Sequence, residues 1–307
     1  MQLSQKRFCD ARDFIYKNAR EIDKAIFRYI FEKGSKLDVF SELEKFQNPD
    51  GGFGKGIEPD FWLTDSSPAA TAKALEYLYI ADADISQGLV VDAIYYLIDS
   101  FNYEEGKWRA TGSRVNDFPH APWWEYNFSK KNCEAGLLSG WGIPNPSIAG
   151  YMNLYKEIVP YDFLKMINER AIGFINSIHE LNRYDLIEYS KFYDLSPKKM
   201  KDLISDKYFY FIGKNIIISP EKWDKYETQP LMFVTDKESE LVYVLKDSID
   251  KNLDYIISRQ KPDGCWEPEW SWGNGNETWH KAKEIWKGFQ TFNSLRLLNM
   301  FGKIEEE

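Results

Sequence analysis

The sequence predicts an all-α protein built from repeated helical hairpins, and three observations carry that prediction. Apolar residues recur at three- and four-residue spacing through most of the 307 residues, the period that sets one face of a helix against a core. Three segments share a tighter signature, Thr71, Leu75 and Leu78, then Ser147, Tyr151 and Leu154, then Thr291, Leu295 and Leu298, whose i, i+4, i+7 spacing places each trio on one helical face. A phrase, FQNPDGGF at 46–53, returns as RQKPDGCW at 259–266. Units that recur in this way stack to bury what one unit alone cannot.

Taken in order, the chain opens with an expected leader helix over about 10–33. The first hairpin, 36–81, has a first helix striped by Leu37, Phe40, Leu43 and Phe46. Its second helix is announced by Ser67-Pro68, a capping side chain before a proline at the first helical position. The second hairpin, 87–158, is striped by Leu89, Ala93, Ile94, Leu97, Ile98 and Phe101 and has the matching signal at Asn145-Pro146. The third, 162–194, carries Phe163, Ile167, Ala171, Phe174 and Ile178, and the fifth, 250–301, carries Leu253, Ile256 and Ile257. The fourth, 196–247, is interrupted by 207–236, where β-branched runs around Gly213-Lys214-Asn215 predict a small β-hairpin followed by an irregular lid. Five hairpins and a leader make five to six units, expected in a single domain over 1–307.

Composition narrows the function classes. A chain with 43% hydrophobic and 16% aromatic residues can bury a large core. A net charge of -9 with no locally basic run repels nucleic-acid phosphates and anionic membrane surfaces, so no nucleic-acid partner is expected. The opening residues have neither the basic nor the apolar region of a signal peptide, and no stretch reaches 18 uninterrupted apolar residues, so a cytoplasmic protein without stable membrane insertion is expected. Cys9, Cys133 and Cys265 are too few and too scattered for a disulfide framework. No GxSxG, Walker or GxGxxG pattern is present, and Gly52, Gly54 and Gly56 lack the strand and helix of a phosphate loop.

The repeated phrase has a mechanical reading. Pro-Asp-Gly stops a helix in a tight turn, the following aromatic folds back onto that helix, and the glutamine amide bonds the backbone groups so freed. Gln47, Gly51, Phe53, Gln260, Gly264 and Trp266 are therefore architectural. The phrase resembles the QW motif of the terpenoid cyclase and protein prenyltransferase superfamily, the squalene-hopene cyclase type included. A partial copy at 103–108 (YEEGKW) keeps the Gly-x-Trp without the glutamine, and 162–194 keeps none of it. The resemblance implies an α/α toroid, a ring of hairpins whose inner helices run parallel. It also implies that the long linkers 51–67, 107–145 and 264–286 emerge at one end of that ring.

Linkers of this length exceed the usual four to six residues, and loops on a rigid scaffold are where function is placed. Each contains carboxylates beside large aromatics: Glu58-Pro59-Asp60-Phe61-Trp62, then Pro119-His120-Ala121-Pro122-Trp123-Trp124-Glu125-Tyr126, then Glu267-Pro268-Glu269-Trp270-Ser271-Trp272. A Trp-walled cavity with two carboxyls can raise one pKa by desolvation while its neighbour stays ionised, as paired acid and base roles require. The candidate catalytic residues are Glu58, Asp60, His120, Glu125 and Glu269, and the candidate substrate-binding residues Trp62, Trp123, Trp124, Trp270, Trp272 and Trp286. The competing reading is that these carboxylates are solvated or cap helices and that the tryptophans fill space between hairpins.

Of the chemistries that the resemblance implies, protonation by a DxDD motif finds only Asp82-Ala83-Asp84-Ile85, and the magnesium-binding DDxxD has no counterpart. The zinc set of the prenyltransferases finds Asp263, Cys265 and His280, which are suitable ligand types. That Asp-x-Cys lies inside the QW-like turn, so no cofactor is expected and zinc is an alternative. Three functions follow: an enzyme binding an apolar or isoprenoid-type substrate in a central cavity with loop carboxylates as acid and base, a carbohydrate-active α/α-barrel enzyme using paired carboxylates and Trp stacking, or a non-catalytic ligand-binding toroid.

Overall fold

The computed structural model describes residues 1–137, 140–225, 227–273 and 277–306, which hold twelve α-helices and a single two-stranded ladder. The all-α expectation stands, and none of the described helices is long and apolar enough to cross a membrane. Contacts divide the chain into two compact units, one made of Met1–Glu42 with Ile216–Glu307, the other of Leu43–Asn215.

The leader is two helices, α1 (Gln5–Asn18) and α2 (Glu21–Phe31), where one helix over 10–33 was expected. Ser4 caps α1 by accepting from the Arg7 amide, and the chain turns extended at Ala19 and Arg20. The break has a packing cause. A Cβ on Gly288 would lie 2.9 Å from the Ala19 Cα, so the backbone at the step is in van der Waals contact with a later helix. Arg20 then pairs at 2.9 Å with the fully buried Asp23.

Helix α3 (Lys36–Glu44) crosses the division, and the Leu43–Asn215 unit continues with α4 (Pro68–Ile80), α5 (Gly88–Asp99), α6 (Asn145–Leu154), α7 (Tyr161–Ser177), α8 (Arg183–Leu195) and α9 (Lys198–Asn215). Within it α4 packs on α6 and α6 on α8, while α7 packs on α9. One row, α4–α6–α8, is thus covered by its hairpin partners. In α6 every residue from Asn145 to Asn153 is buried, as expected of a helix enclosed on all sides. Ser67 caps α4 as expected, accepting from the Ala70 amide at 3.2 Å. Asn145 does not cap α6; its side chain accepts from the Trp108 amide at 2.7 Å instead.

The β-hairpin expected in 207–236 is a correction. Residues 207–215 continue α9, because Ile204, Tyr208, Phe211 and Ile212 fall on one buried helical face. Tyr208 stacks on Tyr193 at 4.4 Å and donates to Ser190 at 2.9 Å. Aromatic and β-branched content suits a strand, but the 3.6-residue period prevails once that face finds a core. The rest of the insertion is irregular, with short 3-10 turns at Pro220–Lys225 and Pro230–Phe233; Tyr226 lies outside the described residues. The ladder present in the chain is elsewhere, β1 (Tyr126–Asn127) paired antiparallel with β2 (Asn132–Cys133).

The other unit adds α10 (Glu240–Val244), α11 (Lys246–Ser258) and α12 (Glu277–Met300), with α12 packed on α1, α2 and α11. The second helix expected in the fourth hairpin is a single turn, α10. Both ends of the chain meet here: Leu3 donates to Lys303 at 2.7 Å and accepts from Glu305 at 3.0 Å.

Each unit contains one full copy of the repeated phrase, and the two copies make the same bonds. Gln47 Nε2 donates to the Gly51 carbonyl at 2.9 Å, and Gln260 Nε2 to Gly264 at 2.9 Å. The aromatic amides, Phe53 and Trp266, each donate at 3.0 Å to the first residue of the i, i+4, i+7 trio, Thr71 and Thr291. Trp266 folds back to donate to Ile256 at 2.7 Å, and in the partial copy Trp108 does the same to Leu97 at 2.6 Å. Gly51 and Gly264 adopt φ of 85° and 91°, where a side chain is strained, and an added Cβ would meet the carbonyls of Asp92 and Asp10.

Candidate functional site

Two of the three linkers come together inside the Leu43–Asn215 unit. Residues 60–62 and 119–121 pair as extended backbone: Ala121 donates to Asp60 at 2.7 Å, Trp62 to Pro119 at 2.9 Å, and Phe61 lies opposite His120. Phe61 meets Trp124 edge to face at 4.8 Å. Asp60 is buried, Trp62 half-buried with its indole donating to Pro59 at 3.1 Å. His120 is half-buried and its Nδ1 lies 2.7 Å from the Phe118 carbonyl, so that nitrogen carries the proton. Trp123 is half-buried and Glu125 exposed. Trp124 is only 8% exposed, and its Nε1 has no hydrogen-bond partner among the described residues, an exception to the rule that buried donors are paired.

Glu58 has a strongly perturbed carboxyl. It keeps some solvent access although protein surrounds it, as a group in the wall of a recess does. Burial pushes its pKa up to about 7; the charges of Asp60 and Glu76 push the same way, while Lys73 opposes them. Lys73 leads into a chain of alternating charges across two helices of the buried row. On α4 it pairs with Glu76 at 3.4 Å; Glu76 meets Lys191 of α8 at 3.5 Å, and Lys191 meets Glu188 at 3.5 Å. From α6, the Ser147 hydroxyl donates to the Glu188 carboxylate. The side chains of Glu188, Lys191 and Glu76 remain 14%, 23% and 24% exposed, so none of the three is sealed in the core. Burial would lower the Lys191 pKa, but Glu188 and Glu76 outweigh it and hold the ammonium charged.

Glu58 and Asp60 were legible as linker carboxylates beside aromatics. Lys73, Glu76, Glu188 and Lys191 are not among the candidates read from the sequence, although it carries a signal for all four. PAATAKALEYLYI has no polar face to solvate Lys73, and its Lys-x-x-Glu is answered in α8 by Glu188-x-x-Lys191 with the signs reversed. A charge on a helix buried all round demands a partner.

The third linker belongs to the other unit and forms its own cluster. Trp270 meets Trp286 edge to face at 4.9 Å, Trp286 meets Phe289 at 5.8 Å, and Trp272 lies 6.0 Å from Trp279. Trp272 and Trp286 are buried. The Glu269 carboxyl, raised by burial against the pull of Arg259, receives the Tyr255 hydroxyl at 3.4 Å and lies 3.8 Å from Arg259. The zinc alternative does not fit its residues. Cys265 is buried with its thiol pushed up to about 12 by burial and by Asp263, Asp263 accepts from the Cys265 amide at 3.3 Å, and His280 is exposed on α12. Among the described residues no group of three or more His, Cys, Asp or Glu could hold a metal ion.

What the site can do follows from these groups: a carboxyl that titrates at about 7 can hold or release a proton near neutral pH, Asp60 is among the charges acting on it, and the α4–α8 charges include both hydrogen-bond donors and acceptors. Comparison with family models, with curated proteins and with solved structures gives no match, and the functional reading rests on this geometry.

Proposed function

We propose that the chain is an α/α toroid of the terpenoid-cyclase type whose Leu43–Asn215 unit carries an acid–base site for a neutral polyhydroxylated molecule, a carbohydrate, with Glu58 as proton donor. The observation that carries this reading is the run of coupled charges, Glu58, Lys73, Glu76, Lys191 and Glu188, contributed by a linker, α4 and α8 and not fully sealed from solvent. A hydrocarbon tail placed there would strip water from these charges and return no hydrogen bond, at a cost of several kcal/mol per group. Sugar hydroxyls replace that water in kind, and the half-buried Trp62 and Trp123 offer ring surface to the apolar face of a pyranose. A second reading, an isoprenoid-type ligand, draws on the Trp270, Trp286 and Phe289 cluster of the other unit.

A panel of aryl glycosides and unmodified oligosaccharides, scored for released aglycone or reducing ends, tests the proposal. The expected result is turnover of at least one member that falls by roughly 10²- to 10⁴-fold in Glu58→Gln. Saturable binding of a prenyl alcohol or prenyl diphosphate, with neither binding nor cleavage of any sugar, would overturn it in favour of the second reading.

A further inference from the structure

The buried tyrosines of the Leu43–Asn215 unit do not all behave alike. Tyr155 donates to Ala83 at 3.2 Å, Tyr189 to Ala171 at 3.0 Å and Tyr208 to Ser190 at 2.9 Å, as buried phenols must. Tyr151 is 2% exposed, yet its hydroxyl makes no hydrogen bond among the described residues. The described side-chain atoms that are both sealed from solvent and unpartnered are Thr111 Oγ1 and Trp124 Nε1. The Tyr151 hydroxyl is therefore the part of that side chain still reachable from outside the fold.

Tyr151 belongs to α6, the middle helix of the buried row, and the charged groups whose fields act on its hydroxyl are Lys191, Glu76 and Glu188. We propose that Tyr151 is a substrate-binding residue whose hydroxyl hydrogen-bonds a hydroxyl group of the bound sugar, in a recess walled otherwise by Glu76, Glu188 and Lys191. The inference rests on the carbohydrate reading above and adds the residue that recognises the ligand. Charge decides the ligand group. Two carboxylates repel a phosphate or carboxylate, Lys191 repels a free ammonium, and a neutral hydroxyl can donate to Glu76 or Glu188 while accepting from Lys191 or the phenol. Burial raises the Tyr151 pKa well above its ordinary value, Lys191 only partly offsetting this, so the phenol keeps its proton and stays available as a donor.

Tyr151→Phe removes that oxygen and nothing else. Calorimetric titration of wild type and variant with the best sugar of the panel and with its mono-deoxy derivatives forms a double-mutant cycle. The expected result is an affinity about tenfold weaker in the variant, a melting temperature within about 1 °C of wild type because no protein hydrogen bond is lost, and one deoxy position at which the variant no longer discriminates. Equal sugar affinity in the two proteins would overturn the role of Tyr151 and leave the carbohydrate reading standing. A variant that melts several degrees lower would overturn it by exposing a structural bond. Absence of saturable sugar binding by the wild type would overturn both.

Discussion

At the scale of single residues, Glu58 gives the sharpest thermodynamic expectation. Its carboxyl ionises near 4.5 when exposed and at about 7 in the folded chain, so the folded state holds a proton that the unfolded state releases. The contribution of Glu58 to stability is therefore greatest below pH 4.5, falls as pH rises through the window to about 7, and is flat above it, the full penalty amounting to at most roughly 3 kcal/mol between the two pKa values. Urea melts of Glu58→Gln and wild type should coincide near pH 4 and separate by pH 8 with the variant more stable; curves parallel at both pH values would contradict the buried-acid assignment. Lys73→Met should raise the Glu58 pKa further, since Lys73 opposes burial, and shift the acidic group of a pH–rate profile upward. Glu58 and Asp60 could be picked out from sequence because carboxylates beside Trp in a long linker stand out. The reversed Lys-x-x-Glu and Glu-x-x-Lys spacings mark Lys73 and Lys191 as charges in need of partners, but do not say that both meet at the Glu76 carboxylate, Lys73 from its own helix and Lys191 from another.

At the scale of elements, the repeated phrase was legible in full, since turn chemistry, a positive-φ glycine and an aromatic amide are all local. Its partner was also in the sequence: Thr71 and Thr291 open the i, i+4, i+7 trios, and each accepts from the aromatic amide while donating to the carbonyl four residues back. Thr71→Val and Thr291→Val keep the shape and orphan a buried amide, so each should cost about 1–3 kcal/mol in chemical denaturation. A loss below about 0.5 kcal/mol at both would mean that the clamp is held by the Gln47 and Gln260 amides alone. What defeated local reading was α9. Ile204, Tyr208, Phe211 and Ile212 read as strand by residue type and as helix by spacing, and only packing against α7 and α8 decides between them. The leader helix failed for the same reason in reverse, for nothing near Ala19 in sequence announces that Gly288 will press against it.

At the scale of the whole molecule, periodicity predicts the mostly helical class that the structure has, apart from the small β1–β2 ladder, and most helix positions, but it carries no information on which segments share a unit. The Met1–Glu42 segment and the Ile216–Glu307 segment form one unit from opposite ends of the sequence, and the contacts that join them are short and specific. Leu3 is fully buried and exchanges backbone hydrogen bonds with Lys303 and Glu305, and Arg7 donates to Gln260 at 2.7 Å while Gln260 donates back to the Arg7 carbonyl at 2.8 Å. Closing so long a loop is entropically unfavourable, and these contacts, with the packing of α1 on α12, offset that cost. Leu3→Ala empties a fully buried site and should destabilise by about 2–5 kcal/mol. Hydrogen exchange should locate that loss, with amide protection falling together in α1 and α12, the elements that Leu3 and Arg7 tie to the far end of the chain. Protection that drops only at residues 3–5 would show the terminal pairing to be a frayed edge, and would leave the packing of α1 on α12 as the contact that closes the unit.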